Sequence, residues 1–445
     1  MIRLLYNLIW PIGLILFLPG YIVKMLRRGG YRKNFWQRLG FYSAGQNERL
    51  RGVRPIWFHA VSVGEVRIAL KLMHELRLRQ PDLRCALTTT TTTGYALAKK
   101  SVPPWIDLLY SPLDFWPVMH RAFRMIKPRC IILIEAEVWP NLVAEASRRR
   151  IPLILANARL SPKSERRFRR FKWMITPIFQ KLDLVCVSTD EEAERWRNLG
   201  VAKNRIRVLG SIKYDTEEQS ITASEPRAFL KQLGIESSRP VLLGGSTHRG
   251  EERILADAFC CLRPQCPSLF LVIAPRHVER TAEVEEQLRR RGLCLSRRSV
   301  PAKSLPIDGL LLDTTGELRD WYSIATVVFV GKSLTVRGGQ NPVEPIIAGK
   351  PVIFGPHMEN FARLAEELVE IGGAARVETV EELIEETGRL LNDPAVRMEM
   401  VAAGMRVIQL HRGATARTAA FIDQIISNGP PSQNSNADLQ HQSAS

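Results

Sequence analysis

Residues 56–79 read IWFHAVSVGEVRIALKLMHELRLR. The opening IWFHAV is apolar with one histidine inside it, the composition of a strand covered on both faces. A short turn follows. From Glu65 onward Val66, Ala69, Leu70, Met73 and Leu76 recur every three or four residues, which predicts an amphipathic helix over Glu65–Arg79. A buried strand that passes directly into such a helix is the repeating half of a parallel sheet flanked by helices.

The same rhythm runs outward from this stretch. Strands are predicted at Ile56–Val61, Cys85–Thr89, Cys130–Ile134, Leu153–Ala156 and Leu184–Val187, and again at Val241–Gly244, Leu269–Ile273, Leu310–Leu312, Val327–Val330 and Val352–Phe354. Between Lys213 and Pro240 the rhythm breaks into a polar, acidic stretch around one short helix, the composition of a linker. At the usual about 100–200 residues per domain, a chain of 445 residues holds two. The reading is an α/β protein with two Rossmann-like, doubly wound domains, 35–213 and 241–427, joined by a linker at 214–240. Such domains face each other across a cleft and bind ligands at the carboxyl ends of their strands. After Ser427 the chain has almost nothing to bury, and 428–445 is predicted to be a disordered tail.

A net charge of +18 suits nucleic acid, an anionic membrane or a phosphorylated substrate. Zinc-finger spacing, an aromatic RNA-binding signature and a basic zipper are all missing from the sequence, so nucleic acid is set aside. The 7 cysteines are odd in number and contain no C-x-x-C pair, which argues against a disulfide framework and a thiolate zinc site and predicts buried, reduced thiols. A D-x-D motif that would hold a divalent cation is also missing.

No charged residue interrupts Leu4–Val23, which matches the roughly 20 apolar residues that cross a bilayer. Asn7, Pro11 and Pro19 disturb a plain spanning helix, so a span and an interfacial helix both remain open. No small-residue cleavage site follows, and residues 1–28 are read as a retained membrane anchor. Lys24, Arg27, Arg28, Arg32, Lys33 and Arg38 follow the run against Arg3 before it, which places the body of the protein on the cytoplasmic side.

Chemistry concentrates where strands end. In HAVSVGE, residues 59–65, Ser62 and Glu65 have the spacing of a capping box, so Glu65 is either a helix cap or a carboxylate at the cleft edge acting as a general base. In IEAEVWPN, residues 134–141, Glu135 and Glu137 share a face if the strand continues, and they are either an exposed surface pair or a functional pair for which Arg159 after the next strand is the candidate answering charge. The stretch SPKSERRFRRFKWM, residues 161–174, mixes basic and aromatic residues and suits either anionic head groups or an exposed basic face over an ordinary core.

In the second half, GSTHRGEE (245–252) and APRH (274–277) follow apolar strands, and Arg276 is either a structural arginine at a strand end or a fork for phosphate or carboxylate. In GKSLTVRGGQNPVEP (331–345) the glycines let backbone approach a ligand, and Asn341, Pro342 and Glu344 fit the N-cap, N1 and N3 positions of a helix. Such an amide-rich start suits a nucleotide phosphate, with Glu344 either meeting ribose hydroxyls or completing the cap.

Taken in order with TTTTTTG (88–94), LANARLS (155–161) and GSIKYD (210–215), these motifs resemble the Kdo transferases of lipopolysaccharide synthesis, glycosyltransferase family 30, over about residues 35–425. Kdo is the acidic eight-carbon sugar 3-deoxy-D-manno-octulosonic acid. The resemblance implies a GT-B architecture in which the first half binds the acceptor, the lipid A precursor in the membrane, and the second half binds the donor CMP-Kdo. It implies that Glu65 is the catalytic base of an inverting displacement, that Glu135 and Lys213 stabilise the transition state, and that Pro275, Arg276, Gly316, Glu317, Leu318, Asn341, Pro342, Val343 and Glu344 contact CMP. It implies no metal or further cofactor, and work at the cytoplasmic face of the inner membrane. The sequence departs from the family where Gly331-Lys332-Ser333 stands for Gly-Gly-Ser and Gly339-Gln340 for Gly-His. Two rival readings remain: another GT-B transferase or an epimerase acting on a UDP-sugar, and a non-catalytic binder of anionic lipid.

Overall fold

The computed structural model describes residues 6–8, 34–136, 138–160, 162–215, 224–236, 238–302 and 306–428. The chain forms two compact units, Met1–Asp215 together with Gly413–Ser445, and Thr216–Arg412. Each is built on one parallel seven-stranded sheet.

The first sheet runs β3-β2-β1-β4-β5-β6-β7. Its strands are β1 Ile56–Ala60, β2 Cys85–Thr89, β3 Ile106–Tyr110, β4 Cys130–Ile134, β5 Leu153–Ala158, β6 Leu184–Val187 and β7 Ile206–Val208. Every residue of β1 is buried because both faces are covered. Trp57 faces one layer, its ring edge-on to Phe123 at 5.1 Å, while Ile56, Phe58 and Ala60 face the helix Val63–Arg79 on the other.

The second sheet runs β10-β11-β9-β8-β12-β13-β14. It contains β8 Val241–Thr247, β9 Phe270–Pro275, β10 Leu295–Arg297, β11 Gly309–Leu311, β12 Val327–Val330, β13 Val352–Phe354 and β14 Ala375–Arg376. The strands predicted from apolar runs all lie inside the sheets, and those missed, β3, β7, β10 and β14, are the sheet edges. An edge strand pairs on one side only and carries polar residues, as Asp107 in β3, Arg207 in β7 and Arg297 in β10 do, so it lacks a continuous apolar run.

Strand order reverses once in each sheet, between β1 and β4 in the first and between β8 and β12 in the second. Loops diverge there and leave a crevice at the carboxyl ends.

One boundary differs from the expectation. The helix Ala414–Asn428, which the sequence rhythm assigned to a second domain ending at 427, packs on Val63–Arg79 of the first unit through Ala419, Ile422 and Ile425. Helical periodicity gives a helix an apolar face without saying what covers it. Asp215 fastens this return, since its carboxylate accepts the amides of Gly413 at 2.8 Å and Thr415 at 2.7 Å, and Arg417 donates to the Leu209 carbonyl at 2.8 Å.

The thiols divide. Cys85, Cys130 and Cys186 are buried as expected, while Cys260, Cys261 and Cys294 are exposed. Of the apolar run Leu4–Val23 only Tyr6–Leu8 is described, and the predicted tail lies outside the described residues from 429 onward. Among the described residues no helix is long and apolar enough to cross a membrane. Asn7 lies against the body of the first unit, its side-chain amide paired with that of Asn141 at 2.9 Å in both directions.

Asp215→Ala leaves two helix-terminal amides without their acceptor, so a loss of about 1–3 kcal/mol is expected. Urea unfolding should report it, and limited proteolysis should cut first ahead of Ala414–Asn428. Unchanged unfolding and cleavage would show that the return helix is held by its apolar face alone.

Candidate active site

Three of the residues expected to act belong to the first unit. Glu65 sits in the first turn of Val63–Arg79, just past the end of β1. Ser62 Oγ accepts the Glu65 amide at 3.3 Å, while the Glu65 carboxylate accepts the amides of Val61 at 2.8 Å and Ser62 at 3.2 Å. The capping box is therefore formed, and it holds a carboxylate that is 6% exposed.

The threonine run supports this loop from below. Thr91 Oγ1 donates to the Val61 carbonyl at 3.0 Å and Thr89 Oγ1 reaches it at 3.4 Å. Thr91 also accepts the Gly94 amide at 3.1 Å, capping the helix Thr92–Ser101. A Cβ on Gly94 would lie 2.8 Å from both threonine hydroxyls, so this packing excludes any larger residue.

Glu135 follows β4 on the other side of the β1/β4 reversal. Its backbone is left-handed, φ +62°, a conformation that costs a non-glycine residue on the order of 1–3 kcal/mol. Burial and the nearby negative charge of Glu65 push its carboxyl above the ordinary range, opposed by the positive charges of Lys213 and Arg159. Lys213 is shifted the other way: burial lowers it, Glu135 raises it and Arg159 lowers it. The expected answering charge, Arg159, thus joins the cluster, its amide donating to the Glu135 carbonyl at 3.4 Å. Glu137 lies outside the described residues.

Asn157 brings Lys213 to this place, and the sequence reading gave it no role. It is buried at the end of β5 with φ +52°, which asparagine tolerates better than most residues. Its Oδ1 accepts the Ile212 amide at 2.9 Å and the Ser211 hydroxyl at 3.3 Å, tying the turn that carries Lys213 to the sheet. The available signal was an amide inside an apolar strand, since a buried polar group implies a bonding partner.

His59 was also passed over. Its ring is buried and stays neutral, burial lowering its pKa to about 4, with Nδ1 3.0 Å from Thr88 Oγ1 and Nε2 without a hydrogen-bond partner among the described residues. It lines a cavity of about 130 Å³ with Arg38, Asp114 and Trp139. The basic stretch forms two helices, Pro162–Arg170 and Lys172–Phe179. Phe168 turns onto the core, whereas Phe171 and Trp173 stand exposed at 44% and 60% beside Arg169, Arg170 and Lys172.

In the second unit every expected donor-side residue lies at the carboxyl end of the sheet. Pro275 closes β9, and the amide of the exposed Arg276 donates to Thr247 at 3.0 Å. Gly316, with φ +95°, leads into Glu317, whose carboxylate accepts Arg298 at 2.9 Å, and then into the helix Leu318–Tyr322. Asn341 Oδ1 accepts the Val343 amide at 3.1 Å and its Nδ2 donates to Glu344 at 3.1 Å. The helix Val343–Ile347 starts later than expected, with Pro342 at the N-cap, and has 5 residues. Asn341 still does the work of a cap from one position further out.

GSTHRGEE and GKSLT flank the β8/β12 reversal and are locked together by Glu251. This fully buried carboxylate accepts the amides of His248, Lys332, Ser333 and Leu334 at 2.8, 2.8, 2.9 and 3.0 Å. Glu252, also fully buried, meets Arg280 at 2.8 Å and Thr247 Oγ1 at 3.1 Å.

The family model of 3-deoxy-D-manno-octulosonic-acid transferase (kdotransferase) matches residues 33–216. The 3-deoxy-D-manno-octulosonic acid transferase of Haemophilus influenzae is 34% identical over 394 residues, covering 87% of this chain and 90% of the relative. The chain belongs to the Kdo transferase family. The Kdo transferase of Bordetella pertussis is likewise 34% identical, over 89% of this chain and 93% of its own. A glycosyltransferase structure from Rickettsia africae covers 84% of this chain and 99% of its own with a TM-score of 0.54 at 11% identity, a likeness of fold.

In this Kdo transferase, Lys213 opposes the upward shift of Glu135. Lys213→Met should therefore move the Glu135 titration further up, as read by carboxyl carbon NMR. A carboxyl raised in the folded state contributes stability that is complete below its unfolded pKa and lost as pH rises through the folded one. Lys213→Met should accordingly lose stability relative to the wild type as pH rises through that titration, measured as melting temperature against pH. Parallel pH profiles would show that the two groups are not coupled.

Proposed function

We propose that this chain transfers Kdo from CMP-Kdo to the lipid A precursor lipid IVA in lipopolysaccharide synthesis, with inversion at the anomeric carbon. The supporting observation is the gathering of Glu65, Glu135, Lys213 and Arg159 at the strand reversal of one sheet, in the order in which the family motifs occur. Family membership supplies the sugar, and the cationic strand ends of the second unit suit an anionic nucleotide.

Glu65 acts as the base. Its carboxylate takes the proton of a glucosamine hydroxyl on the acceptor, the freed oxygen forms the bond to the anomeric carbon of Kdo, and the bond from that carbon to the CMP phosphate oxygen breaks, its electron pair leaving with CMP. Two backbone amides fix the carboxylate oxygens, so little reorganisation is needed as the proton moves. Glu135 and Lys213, set close to the base, stabilise the charge that develops as the acceptor oxygen attacks. Pro275, Arg276, Gly316, Glu317, Leu318, Asn341, Pro342, Val343 and Glu344 form the CMP side, on the second unit. The exposed Phe171 and Trp173 with their flanking cations suit an anionic bilayer surface, and together with the apolar sequence Leu4–Val23 they support a reading in which the enzyme works at the cytoplasmic face of the inner membrane.

Glutamine serves in a capping box as glutamate does, so Glu65→Gln should fold and bind CMP. Its transfer rate should fall by roughly 10²–10⁴. The assay incubates purified protein with CMP-Kdo and a tetraacylated disaccharide acceptor, follows CMP release and weighs the products by mass spectrometry. Turnover of Glu65→Gln at the wild-type rate would remove Glu65 from the mechanism, and a wild-type protein that adds no Kdo would end the reading altogether.

A further inference from the structure

Lys332 stands two positions past Val330, the last residue of β12, where β12 pairs with β8 and the strand order of the second sheet reverses. It therefore enters the crevice in which a doubly wound sheet binds its ligand. Three observations separate it from an ordinary surface lysine.

The first is backbone conformation. Lys332 has φ +57°, in the left-handed region that glycine enters freely and a residue with a Cβ does not. A lysine kept there suggests a use for its side chain.

The second is the route of that side chain. The turn folds back on itself, with the Gly339 amide donating to the Lys332 carbonyl at 2.7 Å and the Gln340 amide to the Gly331 carbonyl at 3.1 Å. The lysine arm lies along Gly338, where a Cβ would come within 2.9 Å of Lys332 Cε and 3.0 Å of Nζ. Glycine at 338 leaves the passage the arm occupies. Glu359, which bonds the Gly338 amide at 2.7 Å, sits opposite His357 at 3.6 Å and Arg337 at 4.0 Å. Among the described residues the Lys332 ammonium has no acidic partner.

The third concerns the amides. A loop of this kind usually cradles a phosphate with backbone N–H groups. Here Glu251 already accepts those of Lys332, Ser333 and Leu334, and Asn341 accepts that of Val343. Those four amides are therefore not offered to an anion, which leaves more of its recognition to side chains. The cationic and hydrogen-bonding groups nearby are His248 and His277, with ring centroids 5.7 Å apart, and Arg276, which precedes His277 and whose amide donates to the Thr247 carbonyl at 3.0 Å. The Lys332 charge is felt at His248, whose ring is held below the ordinary histidine range first by burial and also by that charge.

We infer that Lys332 forms an anion subsite with His248 at the β8/β12 reversal and binds a singly charged oxyanion of the donor, either its phosphodiester or its carboxylate. The inference rests on the CMP-Kdo reading above.

Lys332→Gly tests it with little risk to folding, because glycine accepts φ +57°, and its melting temperature should equal or exceed the wild type's. Lys332→Met keeps the arm without the charge, and Lys332→Arg restores the charge. Affinity for CMP, which carries only the phosphate, and for free Kdo, which carries only the carboxylate, is measured by calorimetry alongside KM for CMP-Kdo. Both neutral variants should raise the donor KM roughly tenfold or more and weaken its dependence on salt, with kcat changed less, and Lys332→Arg should recover most of the loss. Weaker CMP binding assigns the subsite to the phosphate, and weaker Kdo binding with CMP unaffected assigns it to the carboxylate. The inference is overturned if both neutral variants keep wild-type affinities and KM, or if the wild type binds neither CMP nor Kdo. A wild type that binds CMP but transfers no sugar defeats the proposed reaction and leaves the binding measurement readable.

Discussion

The carboxylate of Glu65 accepts the amides of Val61 and Ser62 while Ser62 Oγ accepts the amide of Glu65, and much of the first unit is arranged around that exchange. It joins the carboxyl end of β1 to the start of Val63–Arg79. Thr89 at the end of β2 and Thr91 just past it brace it through the Val61 carbonyl, and Ala414–Asn428 packs on the same helix. A helix start must find acceptors for its free amides. Here the acceptor is a carboxylate nearly withdrawn from solvent, so a structural requirement and a chemical group occupy the same atoms.

A second constraint follows from gathering charge at a sheet reversal. Glu135 sits close enough to Glu65 to be pushed up by it, and Lys213 and Arg159 oppose that push. The like-charged pairs Glu65–Glu135 and Arg159–Lys213 oppose one another's ionisation, while Glu135 and Lys213 support each other's. The left-handed backbones of Glu135 and Asn157 carry part of the same burden, one at each of two adjacent strand ends. In the second unit the arrangement is inverted: Glu251 accepts the amides of the GKSLT loop from within, so there a buried carboxylate organises backbone rather than facing other side-chain charges.

The interior strands were legible because a strand buried on both faces is apolar along nearly its whole length, as IWFHAV and CIILI are, and each such run is short and passes into a helical pattern. The strand-to-helix junctions were legible for the same reason, and with them the carboxyl-end position of HAVSVGE, EAEVWPN, GSTHRGEE and GKSLT. Family resemblance rests on those motifs in series and needs no coordinates. Edge strands such as Leu295–Arg297 were not legible, because pairing on one side lets polar residues in.

Only the tertiary structure decided which distant groups meet. Lys213 reaches Glu135 because Asn157 ties the 211–214 turn to β5, and the last helix belongs to the first unit because Asp215 holds Gly413 and Thr415. Hydrophobic periodicity reports which face of an element is covered, whereas hydrogen bonds between residues far apart in sequence leave no period. The amino acids alone determined the parallel α/β architecture and the motif positions, because burial acts locally along the chain. The convergence of Glu65, Glu135, Arg159 and Lys213 was decided by strand order, which brings together the ends of segments that are remote in sequence.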